Sequence, residues 1–259
     1  MKQKDRPTVR IVVATHKPYF MPEDPLYLPL LVGAERNQAD WKGAKDNTGD
    51  HISAKNPHYC ELTGLYWAWK NLDAEYIGLV HYRRHFAGNR RKYKKTDRII
   101  TEPELLSRLK TADILLPKPR HYWIETTYSQ YAHAHHAEDL DLTRRILEQK
   151  YPRYLPAFDA AMRKRSGHRF NMLVMKKEIL DRYCAWLFDI LTDLEGRLDI
   201  SGYSKNDQRV FGFVGERLLD VWLETGKESY KNIPYVFLEH QNWLAKGFRF
   251  IRRKIRNGS

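Results

Sequence analysis

The stretch Tyr76-Ile77-Gly78-Leu79-Val80-His81-Tyr82-Arg83-Arg84 decides how the chain is read. Tyr76 to Val80 is a short apolar run that predicts a buried strand, and it empties directly into a His, a Tyr and two arginines. Upstream, Val9 to Ala14 is β-branched and apolar and ends at Thr15-His16-Lys17-Pro18, where proline stops the ladder, which predicts a central strand. Between the two, Leu62, Leu65, Tyr66 and Trp69 recur at helical spacing within Tyr59 to Asn71, and Pro57 sits where a helix entry tolerates it. Downstream, Thr101 with Glu104 reads as a capping box for a helix to Lys110, followed by a strand over Asp113 to Pro117. A charged amphipathic helix over Ala137 to Lys150 leads through a Pro- and Arg-rich connection to Ser166-Gly167. Asn171 to Met175 then reads as a strand, Lys177 to Leu198 and Ser204 to Thr225 as helices, and Ile233 to Leu238 as a closing strand. Strands alternating with helices imply an α/β domain with a central, mostly parallel sheet, and place any ligand at the strand C-terminal edge.

The 259 residues include 42% hydrophobic and 13% aromatic ones, enough apolar surface for a sizeable core, so a disordered tail, a collagen-like repeat or a minimal disulfide scaffold is excluded. One domain over residues 1–240 with a basic tail over 241–259 suits this length. The longest apolar runs, such as Tyr183 to Ile190, fall far short of the ~20 residues that span a bilayer. Met1 to Thr8 lacks the apolar region of a secretory signal, so a cytoplasmic protein is expected. Cys60 and Cys184, each within an apolar stretch of helical character, read as two buried free thiols.

Lys and Arg exceed Asp and Glu by 45 to 32, a formal net charge of +13, and the excess is clustered. Arg83, Arg84, Arg90, Arg91, Lys92, Lys94 and Lys95 follow one strand; Arg163, Lys164, Arg165 and Arg169 form a second group. After Glu239 no acidic residue occurs, while Lys246, Arg249, Arg252, Arg253, Lys254 and Arg256 do. An anionic partner follows, either nucleic acid, a phospholipid surface or the phosphates of a small substrate. In the tail, Leu244, Phe248, Ile251 and Ile255 make one apolar stripe with arginines on the other faces. Residues 244–256 suit an anionic membrane interface, or the stripe docks on the protein's own core; both readings are open. Nucleic acid ranks last, since no DNA- or RNA-binding motif accompanies the charge.

Chemistry concentrates at strand ends. His81, Tyr82, Arg83 and Arg84 at the end of a central strand are costly to desolvate without an anion, and a diphosphate would satisfy them; the alternative is a solvated loop. Thr15, His16 and Lys17, at the end of the first strand, would reach a nucleotide's base or phosphates, or form an ordinary polar turn. His121, His133, His135 and His136 lack the spacing of a helical ligand pair, so no metal site is expected from them. GxSxG, GxxxxGK[ST] and GxGxxG are all absent, which argues against a P-loop kinase, a dinucleotide-dependent dehydrogenase and an ordinary hydrolase. Asp207, opening the helix over Ser204 to Thr225, and Glu216 on its less apolar face are candidate general bases, with a helix-dipole charge and a surface pattern as the alternatives.

Asp46-Asn47-Thr48-Gly49-Asp50-His51-Ile52-Ser53, Lys55-Asn56, Glu61-Leu62-Thr63, Tyr66-Trp67-Ala68-Trp69-Lys70-Asn71 and Gly78-Leu79-Val80-His81-Tyr82-Arg83-Arg84 resemble the signature of a bacterial family, known as a domain of unknown function and assigned to the glycosyltransferases of capsular and exopolysaccharide biosynthesis. Asn171 to Lys177, Tyr183 to Phe188 and Arg209 to Leu218 extend the likeness, which covers Val9 to Leu223. The resemblance implies a single GT-A-like, Rossmann-like domain that transfers a sugar, galactose above all, from a UDP-sugar donor to a glycan acceptor in capsule, exopolysaccharide or O-antigen synthesis. It also implies a lipid-linked acceptor, so that the basic tail would bring the enzyme to the inner face of the cytoplasmic membrane as a peripheral protein. Such enzymes usually hold the donor diphosphate through a divalent ion on an Asp-x-Asp. Here the same place reads His81-Tyr82-Arg83, so Arg83 and Arg84 are expected to replace the metal and no cofactor is expected. Lys55 and Asn56 are expected to contact the nucleotide, and Asp207 or Glu216 to deprotonate the acceptor if the reaction inverts. The rival expectation is a noncatalytic basic protein that binds nucleic acid or an anionic polysaccharide.

Overall fold

The structure, a computed structural model, describes residues 7–88, 94–226 and 228–239. In chain order its strands are β1 (Val9–Thr15), β2 (Tyr27–Leu31), β3 (Ala44–Lys45), β4 (Tyr76–His81), β5 (Arg84–Phe86), β6 (Ile114–Pro117), β7 (Arg120–His121), β8 (Ser166–Gly167), β9 (Leu173–Lys176), β10 (Tyr230–Ile233) and β11 (Tyr235–Phe237). Its helices are α1 (Asn56–Tyr59), α2 (Leu62–Asn71), α3 (Glu102–Leu109), α4 (Thr127–Ala134), α5 (Ala137–Lys150), α6 (Leu155–Arg163), α7 (Lys177–Arg197) and α8 (Val210–Thr225).

The main sheet runs β10-β6-β9-β4-β1-β2-β3. The pairs β10/β6, β4/β1, β1/β2 and β2/β3 are parallel, β9 runs against both its neighbours, and β5, off this path, is antiparallel to β4 and to β11. The expected α/β domain with a mostly parallel central sheet is therefore what forms. A central strand must bury both faces, and the two-residue period divides its side chains between them. Val12 and Ala14 of β1, with Ile77 and Leu79 of β4, enter a large core shared with α2, α5, α6, α7 and α8. Ile11 and Val13, with Tyr76 and Val80, enter a second core closed by α3 and by the β5/β11 ribbon. Each fully buried aliphatic side chain contributes about 1.5–3 kcal/mol.

Five expectations are adjusted by the structure. The helix over Tyr59 to Asn71 is broken at Cys60, whose φ of 54° separates α1 from α2. Cys60 is consequently only partly buried and lines a cleft, whereas Cys184 is buried in α7, and both thiols are free. The helix expected from Ser204 starts at Val210, after a 3-10 turn over Asp207–Arg209. The Pro- and Arg-rich connection contains α6, because its proline occupies the first turn, where no backbone N–H is needed, and Ala157, Phe158, Ala161 and Met162 bury one face. Pro234 divides the last strand into β10, beside β6, and β11, beside β5. The basic tail over 241–259, including the stripe and arginines of 244–256, and Arg90, Arg91 and Lys92 lie outside the described residues.

Gly78 lies at the centre of the sheet. A Cβ there would meet Val174 Cγ2 at 2.9 Å, the Leu173 carbonyl at 3.0 Å and Ile11 Cγ1 at 3.1 Å, so two neighbouring side chains and one backbone carbonyl already fill its place. Gly78→Ala is expected to cost about 1–3 kcal/mol through overpacking, lowering Tm by roughly 2–4 °C per kcal/mol at this chain length. Thermal unfolding followed by circular dichroism checks it, and an unchanged Tm contradicts the packing described.

Candidate active site

The strand directions bring one set of ends together. β1, β2, β4 and β6 all deliver their C-terminal ends to one edge of the sheet, and antiparallel β9 begins there. A cleft of about 600 Å³ opens on this edge. Thr15 and His16 come from the end of β1, His81 to Arg84 from the end of β4 and the start of β5, Arg120 from β7 and Tyr122 from just after it, Arg169 and Phe170 from the approach to β9, Arg209 from the 3-10 turn before α8, and Phe213, Glu216 and Arg217 from the first half of α8.

Six arginines line the cleft (Arg83, Arg84, Arg120, Arg169, Arg209 and Arg217) against two carboxylates, Glu61 and Glu216. Each inner guanidinium is held by something specific. Arg169 donates Nε to the Tyr122 hydroxyl at 2.6 Å and pairs with Asp220 at 3.1 Å. Arg217 pairs with Glu216 at 2.9 Å and stacks over the Tyr131 ring at 4.9 Å. Arg209 donates Nε to Cys60 Sγ at 3.1 Å and lies over Phe213 at 5.1 Å. Arg84 is clasped between the Phe170 and Phe237 rings, at 4.5 and 4.9 Å, and its buried Nε has no hydrogen-bond partner. Burial and the neighbouring Arg83 charge pull the Arg84 pKa below its ordinary value. A guanidinium remains charged in proteins, so Arg84 stays cationic although its burial is not fully compensated by a carboxylate.

The site is braced by an unusual backbone. Phe170 and Asn171 are consecutive non-glycine residues at φ 79° and 51°. Such conformations cost about 1–3 kcal/mol each and persist only when over-determined. Here the Phe170 N–H donates to Glu216 Oε1 at 2.9 Å, its carbonyl accepts from His81 Nε2 at 2.7 Å, and Asn171 donates to Glu61 Oε1 at 2.8 Å. Because a carbonyl only accepts, His81 carries its proton on Nε2. Burial lowers the His81 pKa, with Glu61 opposing and Arg84 adding to the shift.

The residues singled out in the sequence divide into two groups. Thr15, His16, Asn56, His81, Tyr82, Arg83, Arg84 and Glu216 line the cleft. Among them, Thr15 donates its hydroxyl to the Lys17 carbonyl, and Asn56 donates to Cys60 O and Thr63 Oγ1, so both shape loops. Glu216 has both oxygens occupied, by Phe170 N–H and Arg217. Lys17, Lys55 and Asp207 are not on the lining. Lys55 faces α7 and pairs with Glu195 at 2.5 Å, Lys17 lies 5.9 Å over the Tyr82 ring, and Asp207 binds His135, which is on the lining. Of the other histidines, His133 pairs with Glu125, His121 lies against the Trp123 ring, and His136 stacks on Tyr203 while its Nε2 lies 3.9 Å from the second oxygen of Asp207. Glu61, Arg169, Arg209, Arg217 and His135 were not assigned to the site from the sequence, although Arg209, Phe213 and Glu216 recur at helical spacing on one mixed aromatic and charged face of α8.

A family model described as Domain of unknown function (DUF4422) matches residues 10–228. The chain belongs to the DUF4422 family. Among solved structures, the apo form of the WbbM bifunctional glycosyltransferase resembles it with a TM-score of 0.84 and 30% sequence identity, over 90% of this chain and 46% of that one. The chain thus spans about half the length of that protein, and its fold is the glycosyltransferase-like α/β domain expected. No curated protein matches significantly. As DUF4422 members go, this one shows how the cleft is equipped: its two carboxylates are engaged by Asn171, Phe170 and Arg217, arginines surround them, and among the described residues no group of three or more His, Cys, Asp or Glu is arranged to hold a metal ion. This donor set does not fit a divalent cation of the Asp-x-Asp kind.

Cys60 sits on the cleft wall, but burial and Glu61 push its thiol up to about 12 against the pull of Arg209. At pH 8 the thiolate fraction is then on the order of 10⁻⁴, too small for rapid alkylation. Native protein should react with less than a tenth of an equivalent of Ellman's reagent in the time that urea-unfolded protein releases about two. Rapid reaction of one thiol at pH 8 in the native protein would contradict the raised Cys60 pKa.

Proposed function

We propose that this DUF4422 domain is a glycosyltransferase that moves a sugar from a UDP-sugar donor to a glycan acceptor, with arginines in place of a metal ion at the diphosphate. The observation that carries the reading is Arg84. Its guanidinium is partly buried at the end of the central strand, clasped by two aromatic rings, and its Nε is unpartnered at the edge where α/β folds bind nucleotides. Arg169, Arg209 and Arg217 surround the same space, and His16 and Tyr82 supply an edge-to-face aromatic pair, 5.2 Å between centroids, beside the β1 end. As the sugar leaves, negative charge grows on the diphosphate, and preoriented guanidiniums stabilise it most at that moment. Convergence of the cations into one concave site supports a small anion over a nucleic acid, which would need a basic surface.

Galactose as the donated sugar, a lipid-linked acceptor, a place in capsule, exopolysaccharide or O-antigen assembly, and attachment to the inner membrane surface through the basic tail complete the proposal. They are supported by the family resemblance, by the glycosyltransferase among similar structures and by the tail's composition. Among the described residues no helix is long and apolar enough to cross a membrane.

UDP is expected to raise Tm equally in EDTA and in Mn²⁺, and UDP-galactose to be turned over in EDTA. Activity abolished by EDTA and restored by Mn²⁺ overturns the arginine reading, and indifference to every nucleotide overturns the transferase. Arg84→Ala should weaken UDP binding about 30-fold or more, since truncating one partner of a buried charge pair costs roughly 2–5 kcal/mol; isothermal titration calorimetry reads it.

A further inference from the structure

His135 lines the cleft, yet the diphosphate chemistry above makes no use of it. It caps the C-terminal end of α4, with its ring stacked on Phe213 of α8 at 4.3 Å and set against Tyr131 at 5.0 Å. Its Nδ1 lies 2.9 Å from Asp207 Oδ1. Asp207 is itself fixed: Ser204 Oγ donates to its other oxygen at 2.6 Å, and its own N–H donates to Ser204 Oγ at 3.2 Å. A carboxylate accepts, so the ring proton of a neutral His135 is on Nδ1 and the lone pair is on Nε2. Nε2 makes no hydrogen bond to the described residues and is not sealed from solvent. This is a base held in one tautomer by a carboxylate, with its reactive nitrogen free on the wall of an anion-binding cleft.

We propose that His135 is the general base of the transfer, and that Asp207 is its positioning residue. The proposal rests on the transferase reading and assigns its proton. Nε2 takes the proton of the acceptor hydroxyl as the acceptor oxygen bonds to the anomeric carbon. The bond from that carbon to the donor phosphate breaks, its electron pair leaves on UDP, and the guanidiniums receive the charge. The imidazolium is neutralised by Asp207 until it returns the proton to solvent. A single displacement of this kind inverts the anomeric centre.

Surrounding charges suit the task. Burial lowers the His135 pKa, the Asp207 hydrogen bond opposes this and Arg217 adds to it, so the ring is neutral and ready at pH 7. Asp139 of α5 also faces the ring and favours its charged form, and His136, at the N-terminus of α5, lies 3.9 Å from the other oxygen of Asp207. Burial pushes the Asp207 carboxyl up, but hydrogen bonds from Ser204, His135 and Asn206 outweigh it and hold Asp207 ionised. Glu216 is less suited, since both its oxygens are occupied.

The test uses the full chain, UDP-galactose and other UDP-sugars as donors, and a panel of p-nitrophenyl glycosides as acceptors. His135→Gln should lower kcat about 100-fold or more, with the UDP dissociation constant and Tm within twofold and a few degrees of wild type. His135→Asn serves if the glutamine variant does not fold. Asp207→Asn should lower kcat less, and should move the acid limb of the pH profile to lower pH, because the carboxylate that favoured the imidazolium is gone. A loss confined to folding would lower the plateau and leave that limb in place. If wild-type protein transfers sugar while His135→Gln retains its rate within threefold, or if the product retains the donor's anomeric configuration, the role of His135 is overturned and the transferase stands. If wild type neither binds UDP nor transfers, the transferase reading falls and the role of His135 with it.

Discussion

Guanidinium groups crowded into a partly dry cleft repel one another, and much of the surrounding architecture serves to contain that repulsion. Arg169 and Arg217 are each about 4% exposed. Removing such charges from water is tolerable only where paired carboxylates and hydrogen bonds compensate. Asp220 answers Arg169, Glu216 answers Arg217, and the rings of Tyr122, Phe170, Phe237 and Tyr131 lie against the cations they cannot neutralise. The carboxylates therefore work for the protein, and the arginines are left with spare capacity for a ligand.

The same logic governs the opposite wall. Asp46 is fully buried and would be prohibitively costly alone. It accepts from the Gly33 and Ala34 amides at 2.9 and 3.0 Å and from the hydroxyls of Ser53 and Thr63 at 2.5 and 2.7 Å. One charge thus ties the turn after β2 to the segment entering α1 and to the first turn of α2. The left-handed residue Cys60 follows directly, so that Asn56, Pro57, Cys60 and Glu61 all reach the cleft.

How much of this was legible in the sequence follows from what each signal measures. Hydrophobic periodicity reports burial, so β1, β4, β6, β9, α3, α5 and α7 were readable, and the strand-edge rule placed His81 to Arg84 correctly at the cleft. Lys55 and Asp207 lie off the cleft lining because direction depends on partners far away in sequence: Glu195 draws Lys55 to α7, and His135 stands between Asp207 and the cleft. Arg217 reads as surface on a helix, and only α4 packing against α6 and α8's neighbours turns it inward against Tyr131. The break at Cys60 is likewise tertiary, set by a left-handed residue that no propensity favours, whereas the one at Pro234 is local, since proline has no N–H to give a ladder.

The antiparallel β9 has a bearing on how the molecule is made. It lies between β4 and β6, both of which precede it in the chain, and Arg169 to Asn171 are the residues that lead into it. A growing polypeptide can align β1, β2 and β4 early, but it holds an open gap beside β4 until β9 slots in and the helices that follow cover it. Pairing across such sequence distances is slow to form. The cleft therefore comes into being only with the closing of the sheet, and an early ligand would find no half-built version of it to occupy.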